Sequence, residues 1–147
     1  MPELTRRGLD RAGIAAIIPH GGAMVLLDRI DDWGPDFISG STDSHRDPGN
    51  PLRRAGRLPA IAGIEIAGQA MAAHGRLIGD KTPKRGVLGS LRELALHADR
   101  LDDLSGPLIV HARLLTGWGK ACAYHFTLQS GARTLIEGRA AVFFLFQ

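Results

Sequence analysis

The sequence predicts an α+β domain in which an antiparallel sheet of about six strands wraps one long central helix. Three observations carry that prediction. The stretch after Pro59, through about Ile78, is helical in pattern and apolar on every side. Four strand-like segments follow it, separated by turn signals and carrying the mixed periodicity of a sheet with one buried face. An antiparallel hairpin precedes it. The 147 residues suit a single domain spanning 1–147, long enough to bury a core without metals or disulfides.

The elements follow in order. Asp10 to Ile18 makes a short helix, ended by Pro19 and the pair Gly21 and Gly22. "MVLLDRIDDW" is a run of strand formers that turns to charge. "FISGSTDS", after the Gly34-Pro35 turn, pairs back with it. From His45 to Leu58 the density of Pro, Gly, Asp and Arg predicts a long surface loop, and long ordered loops in compact domains tend to carry function. Pro59 suits a helix start, and Gly79 and Asp80 suit its end. Ile61, Ile64, Ile66, Ala67, Ala70 and Met71 leave that helix almost no solvated face, so the rest of the chain must wrap it. The wrapper is "GVLGSLRELALHA", "GPLIVHARLLTG", "KACAYHFTLQS" and "RTLIEGRAAVFFLF".

Composition narrows the functional classes. Apolar residues at 44% and charged residues at 22% exclude a disordered chain. No apolar run approaches the roughly 20 residues of a bilayer span, and "MPELTRRGLDRAG" lacks the apolar centre of a signal peptide. A cytoplasmic protein without a membrane span is expected. The single Cys122 has no Cys or His nearby at zinc-ligand spacing and reads as a core thiol. A net charge of +3 favours an acidic partner. Nucleic acid is not expected, because aromatics are only 5% and none interleaves with the arginines.

The central helix contains a contradiction. In "GIEIAGQAMAAHG", Glu65 and Gln69 stand four residues apart on one stripe of an otherwise apolar helix, while His74 points roughly the opposite way. A carboxylate in apolar surroundings must find a partner, such as Arg92, or remain protonated. A protonated carboxyl is what a general acid near neutral pH requires. His45 opens the glycine- and proline-rich loop, where a side chain is held by a scaffold yet can face a cleft, and His20 in "IPHGG" has a similar position. His97, His111 and His125 alternate with apolar residues and read as outward-facing strand residues. No metal-ligand spacing and no nucleotide-binding or nucleophile-elbow pattern occurs, so no cofactor is indicated.

The order of these motifs is that of a known family. "IPHGGAMVLLDRI" resembles the opening of FabA/FabZ-type 3-hydroxyacyl-[acyl carrier protein] dehydratases, and "LPAIAGIEIAGQAMA" resembles their central helix, where a Pro-Gly pair precedes a catalytic Glu followed four residues later by Gln. Pro59 and Ala60 stand at the Pro-Gly positions, Glu65 at the acid and Gln69 at the glutamine. "RLDDLSGPLIVHARLL" and "TLIEGRAAVFF" fit the strands that follow, and within the superfamily the chain is most similar to the ApeP-like branch of aryl polyene pathways. The resemblance implies the hotdog fold and dimers whose active sites take His from one subunit and Glu from the other. The family's Gly-His-Phe-Pro motif has two imperfect counterparts here. His45 in "SHRDPGNPL" is one; Arg57 in "GRLP" would replace the histidine altogether.

The resemblance thus implies reversible loss of water from a 3-hydroxyacyl thioester. His45 would take a proton from C2, and Glu65 would donate to the departing 3-hydroxyl. Backbone N–H groups near Gly63 would meet the charge on the thioester oxygen, and Gln69 would hold the Glu65 carboxyl. Pro59 and Arg57 would line the substrate site. The partners implied are an acyl carrier protein and a second hotdog subunit, identical or different. A hotdog thioesterase, with Glu65 activating water, and a non-catalytic subunit of a heterodimer are the alternatives.

Overall fold

The computed structural model describes residues 8–18, 21–79, 84–118 and 121–146. His20, Pro19 and Asp80, singled out by the sequence, lie outside the described residues. A short helix α1 (Arg11–Ala15) is capped by Asp10, whose Oδ1 accepts the Gly13 N–H at 2.9 Å. The hairpin is β1 (Arg29–Gly34) and β2 (Phe37–Thr42), joined at Pro35 and Asp36. The loop then leads to α2 (Ala62–Ile78), and β3 (Lys84–Leu96), β4 (Leu108–Trp118), β5 (Ala121–Ser130) and β6 (Arg133–Phe146) complete the chain.

The strands form one antiparallel sheet in the order β1-β2-β4-β5-β6-β3. Alternation puts Tyr124, Phe126 and Leu128 of β5 inside, with Val110 and Ala112 of β4 beside them, all fully buried. Register shifts in β1, β3, β4 and β6 add the extra residues that bend a sheet. The bent sheet closes over α2, the curved sheet around one central helix that the sequence predicts.

Small residues let the helix sit deep in this curve. Ala67, Ala70 and Ala73 are fully buried beside Met71 and Ile66. Gly63 lies where an added Cβ would come within 2.5 Å of Leu128 and 2.6 Å of Ile136, so the first turn of α2 meets the sheet almost backbone to side chain. No side chain caps α2. Its first donors close a tight turn instead: Ala62 N–H donates to the Pro59 carbonyl at 3.0 Å, Gly63 to Ala60 at 2.9 Å and Ile64 to Ile61 at 3.0 Å. At 17 residues α2 is the longest described helix, and no described helix is long and apolar enough to cross a membrane.

Candidate active site

Glu65 stands in the first turn of α2. It is half-buried and lines an open cavity of about 560 Å³ with Leu52, Arg54, Pro59, Ile61 and Ile64. The apolar wall suits an acyl chain, and Arg54 puts one cation at its edge. Pro59 lines this cavity beside Glu65.

His45 is held elsewhere. β2 ends at Thr42, and a 3₁₀ turn (Ser44–Arg46) carries the imidazole inward until it is fully buried. Its Nε2 lies 3.1 Å from the Leu104 carbonyl, an acceptor only, so Nε2 carries the proton and donates. Nδ1 is then a bare lone pair, and this buried atom has no hydrogen-bond partner among the described residues. Burial pushes the imidazole below its ordinary value; the Leu104 and Gly106 carbonyls and the Asp43 charge oppose that shift, Arg46 adds to it, and burial prevails. His45 is a neutral base at pH 7. It does not line the cavity of Glu65.

Three expectations change on the structure. Gly63 cannot offer a spare N–H to a thioester oxygen, because its N–H is already spent on Ala60. Its lack of a side chain serves the approach of Leu128 and Ile136 rather than that of substrate. Gln69 is fully buried and supports the backbone: Oε1 accepts Leu26 N–H at 2.9 Å and Leu27 N–H at 3.2 Å, and Nε2 donates to the Met24 carbonyl at 2.6 Å. The amide thus sutures residues 24–27 to α2. Arg57 is exposed in a tight hairpin with Arg54, whose N–H and carbonyl pair with those of Arg57 at 2.7 and 3.0 Å. Ala55 and Gly56 take φ of 52° and 75° there, the geometry of a type I′ turn. The residues between His45 and Pro59 that have no place in the family motif are accommodated by this projecting turn.

Other groups hold the site together without any local signal in the sequence. Arg53 knits the loop by donating to the carbonyls of His45 at 3.0 Å, Asp47 at 2.9 Å and Gly56 at 3.0 Å. The connector from β3 to β4, residues 97–107, supplies Leu104 to His45 and Asp102 to the backbone before α2, where Leu58 N–H donates to Asp102 Oδ1 at 2.8 Å. His74, on the far side of α2, is fully buried with both nitrogens engaged: Nε2 with the Gly34 carbonyl and Nδ1 with the Tyr124 hydroxyl, each at 2.7 Å. Of the strand histidines, His97 pairs with Glu137 at 3.1 Å and His111 stacks on Phe37. Cys122 is buried, as expected of a core thiol.

The family whose model matches this sequence is described as ApeP-like: ApeP dehydratase, and the match covers residues 12–145. No curated protein matches the sequence. The fold is similar to a chain of the dehydratase heterocomplex ApeI:P from Xenorhabdus doucetiae, with a TM-score of 0.77, 20% identity and coverage of 88% of this chain and 89% of that one. It is also similar to a mutant thioesterase from Pseudomonas aeruginosa, with a TM-score of 0.67, 13% identity and coverage of 100% and 96%. A thioesterase from Haemophilus influenzae gives a TM-score of 0.67 at 12% identity over 94% and 92%. At these identities the likeness shows a shared hotdog fold and leaves the chemistry to the family match and the site.

Proposed function

The chain belongs to the ApeP-like dehydratase family, and from that premise we propose that it is one subunit of a hotdog dehydratase removing water from 3-hydroxyacyl thioesters of an acyl carrier protein. The observation that carries the reading is the bare Nδ1 of His45, a buried, neutral imidazole nitrogen with its lone pair uncommitted. In the forward reaction Nδ1 takes the C2 proton. The electron pair of that C–H bond forms the C2–C3 double bond, and the C3–O bond breaks as the Glu65 carboxyl protonates the leaving hydroxyl to give water. Acid and base groups of this kind each contribute about 10²–10⁴-fold.

A second subunit completes the site, the base coming from one chain and the acid from the other. The separation of His45 from the Glu65 cavity supports this reading. So does apolar surface around that cavity and along the edge strand: Ile61 is 57% exposed and Leu96 46%. The similar ApeI:P structure is a heterocomplex, which favours a non-identical partner. Arg54, at the cavity, with Arg53 and Arg57 on the same loop, suits the approach of an acidic carrier protein.

The test is turnover of a 3-hydroxyacyl-carrier thioester by the chain alone and with a second hotdog subunit, following enoyl product and released thiol, in wild type, Glu65→Gln and His45→Ala. Enoyl formation lost in both variants supports the dehydratase; thiol release in its place makes the protein a thioesterase. The complete burial of His45 favours one further reading, a subunit that completes the partner's site without turning over substrate. In that case both variants leave the turnover of the complex unchanged.

A further inference from the structure

The connector between β3 and β4 reaches both His45 and the backbone that leads into α2. Toward α2 it forms a short ladder: the Asp99 carbonyl accepts Ala60 N–H at 2.9 Å, and Leu101 N–H donates to the Leu58 carbonyl at 2.8 Å. Leu58 and Leu101 are fully buried, so the ladder is also packed. Toward His45 it presents the Leu104 carbonyl, which receives the Nε2 proton and thereby leaves Nδ1 bare. Leu104 N–H returns to the Leu101 carbonyl at 3.2 Å, closing the turn between the two grips.

One side chain joins them. Asp102 is only 7% exposed and sits inside that turn. Its Oδ1 accepts Leu58 N–H at 2.8 Å and Arg100 Nε at 3.1 Å, while Oδ2 receives Arg100 Nη2. Leu58 N–H has no helical or strand partner of its own, and two residues later Ala60 begins the turn that starts α2. The Arg100 guanidinium, and after it the Leu58 N–H, hold the Asp102 carboxyl far below the usual carboxylate range, so it is an anion at every pH at which the enzyme would act. A fixed carboxylate holding a backbone N–H across 44 residues of sequence is a device for position rather than for chemistry.

The geometry points to Asp102 as a positioning residue that sets the placement of the His45 base, and with it the tautomer His45 adopts. This rests on the dehydratase reading, in which His45 is the base that faces the substrate. Asp102 touches no reacting atom. It holds Leu58 on one side and the Leu101–Leu104 turn on the other, and the Leu104 carbonyl is what commits the His45 proton to Nε2. Freed from Asp102, the turn carries that carbonyl away, the imidazole loses its packing, and Nδ1–H and Nε2–H forms mix.

The experiment pairs a ring ¹⁵N NMR titration of His45 with turnover, in full-length protein with its partner subunit, for wild type, Asp102→Ala, Asp102→Asn and Arg100→Gln. In wild type the Nε2–H tautomer dominates. In Asp102→Ala the two tautomers mix, the His45 titration moves up toward the ordinary 6.5, and kcat falls about 10- to 100-fold with KM little changed, as sub-ångström to ångström misplacement produces. Arg100→Gln gives a smaller change of the same kind, and Asp102→Asn, which keeps an acceptor for Leu58, restores part of the signature. These two milder variants carry the test if Asp102→Ala does not fold. An unaltered tautomer and titration in folded variants overturn the proposal. Tautomer mixing in a protein without dehydratase turnover keeps the positioning role and overturns the dehydratase reading instead.

Discussion

His45 and His74 are both fully buried, and both imidazoles are pushed below their ordinary value chiefly by burial. They differ in one atom. His74 has a partner at each nitrogen: the Gly34 carbonyl takes the Nε2 proton, and the Tyr124 hydroxyl donates to Nδ1 with its ring edge-on at 5.5 Å between centroids. It ties the middle of α2 to the end of β1 and to β5. Among the described residues, His45 has a partner at Nε2 only. A buried polar atom without a partner costs about 1–3 kcal/mol, a loss that structure alone does not repay. The comparison teaches that burial and residue type do not separate these two histidines, whereas the tally of hydrogen bonds does.

Exchanging the roles tests this most sharply. His45→Ala should lower turnover of the complex about 10²–10⁴-fold with a smaller loss of stability than His74→Ala, because only the Leu104 carbonyl is stranded, read by steady-state kinetics and urea denaturation of one preparation. His74→Ala should do the reverse: the Gly34 carbonyl and Tyr124 hydroxyl are stranded, and unfolding free energy falls by roughly 2–4 kcal/mol while turnover per folded molecule persists. A His74 variant with normal stability and no activity would reverse the assignment.

Smaller effects refine the contrast between support and chemistry along α2. Gln69→Ala removes three hydrogen bonds to residues 24–27 and should cost about 2–3 kcal/mol by chemical denaturation. Its effect on kcat should stay well below that of Glu65→Gln. Gly63→Ala drives a methyl into Leu128 and Ile136 and should cost about 1–3 kcal/mol by overpacking, visible as a lower Tm.

Acid gives the mildest discrimination. Both histidines bind protons less readily folded than unfolded, so between the unfolded value of 6.5 and their lower folded values the unfolded chain takes up more protons. Their contribution to stability is full above 6.5 and declines as pH falls from there through the folded values. Tm measured against pH should show that decline in wild type and a shallower one in His74→Ala. The acid limb of kcat/KM should follow His45 alone and lie below the ordinary imidazole value.

Much of the architecture was legible from local pattern. The all-round apolar run after Pro59, the Gly79 stop and the Gly34-Pro35 turn each act over a few residues, and each predicted its element. The family motif marked Glu65 and His45, and the structure leaves Glu65 half-buried beside Pro59. The role expected of Gly63 was misread because a glycine before a carboxylate looks the same whether a ligand or a leucine approaches it. Gln69 was misread because an amide one turn from Glu65 can as easily face a backbone segment more than forty residues away.

The sequence by itself determined the order of elements, the apolar helix they must enclose and the two side chains with acid–base character, since periodicity, turn chemistry and motif spacing are short-range properties. Only the tertiary structure decided which nitrogen of His45 is bare, that Gln69 serves the backbone, and that Asp102 grips Leu58. Those outcomes depend on contacts across 42 to 59 residues, set by where the bends of the sheet bring a carbonyl or carboxylate, and no local pattern records that.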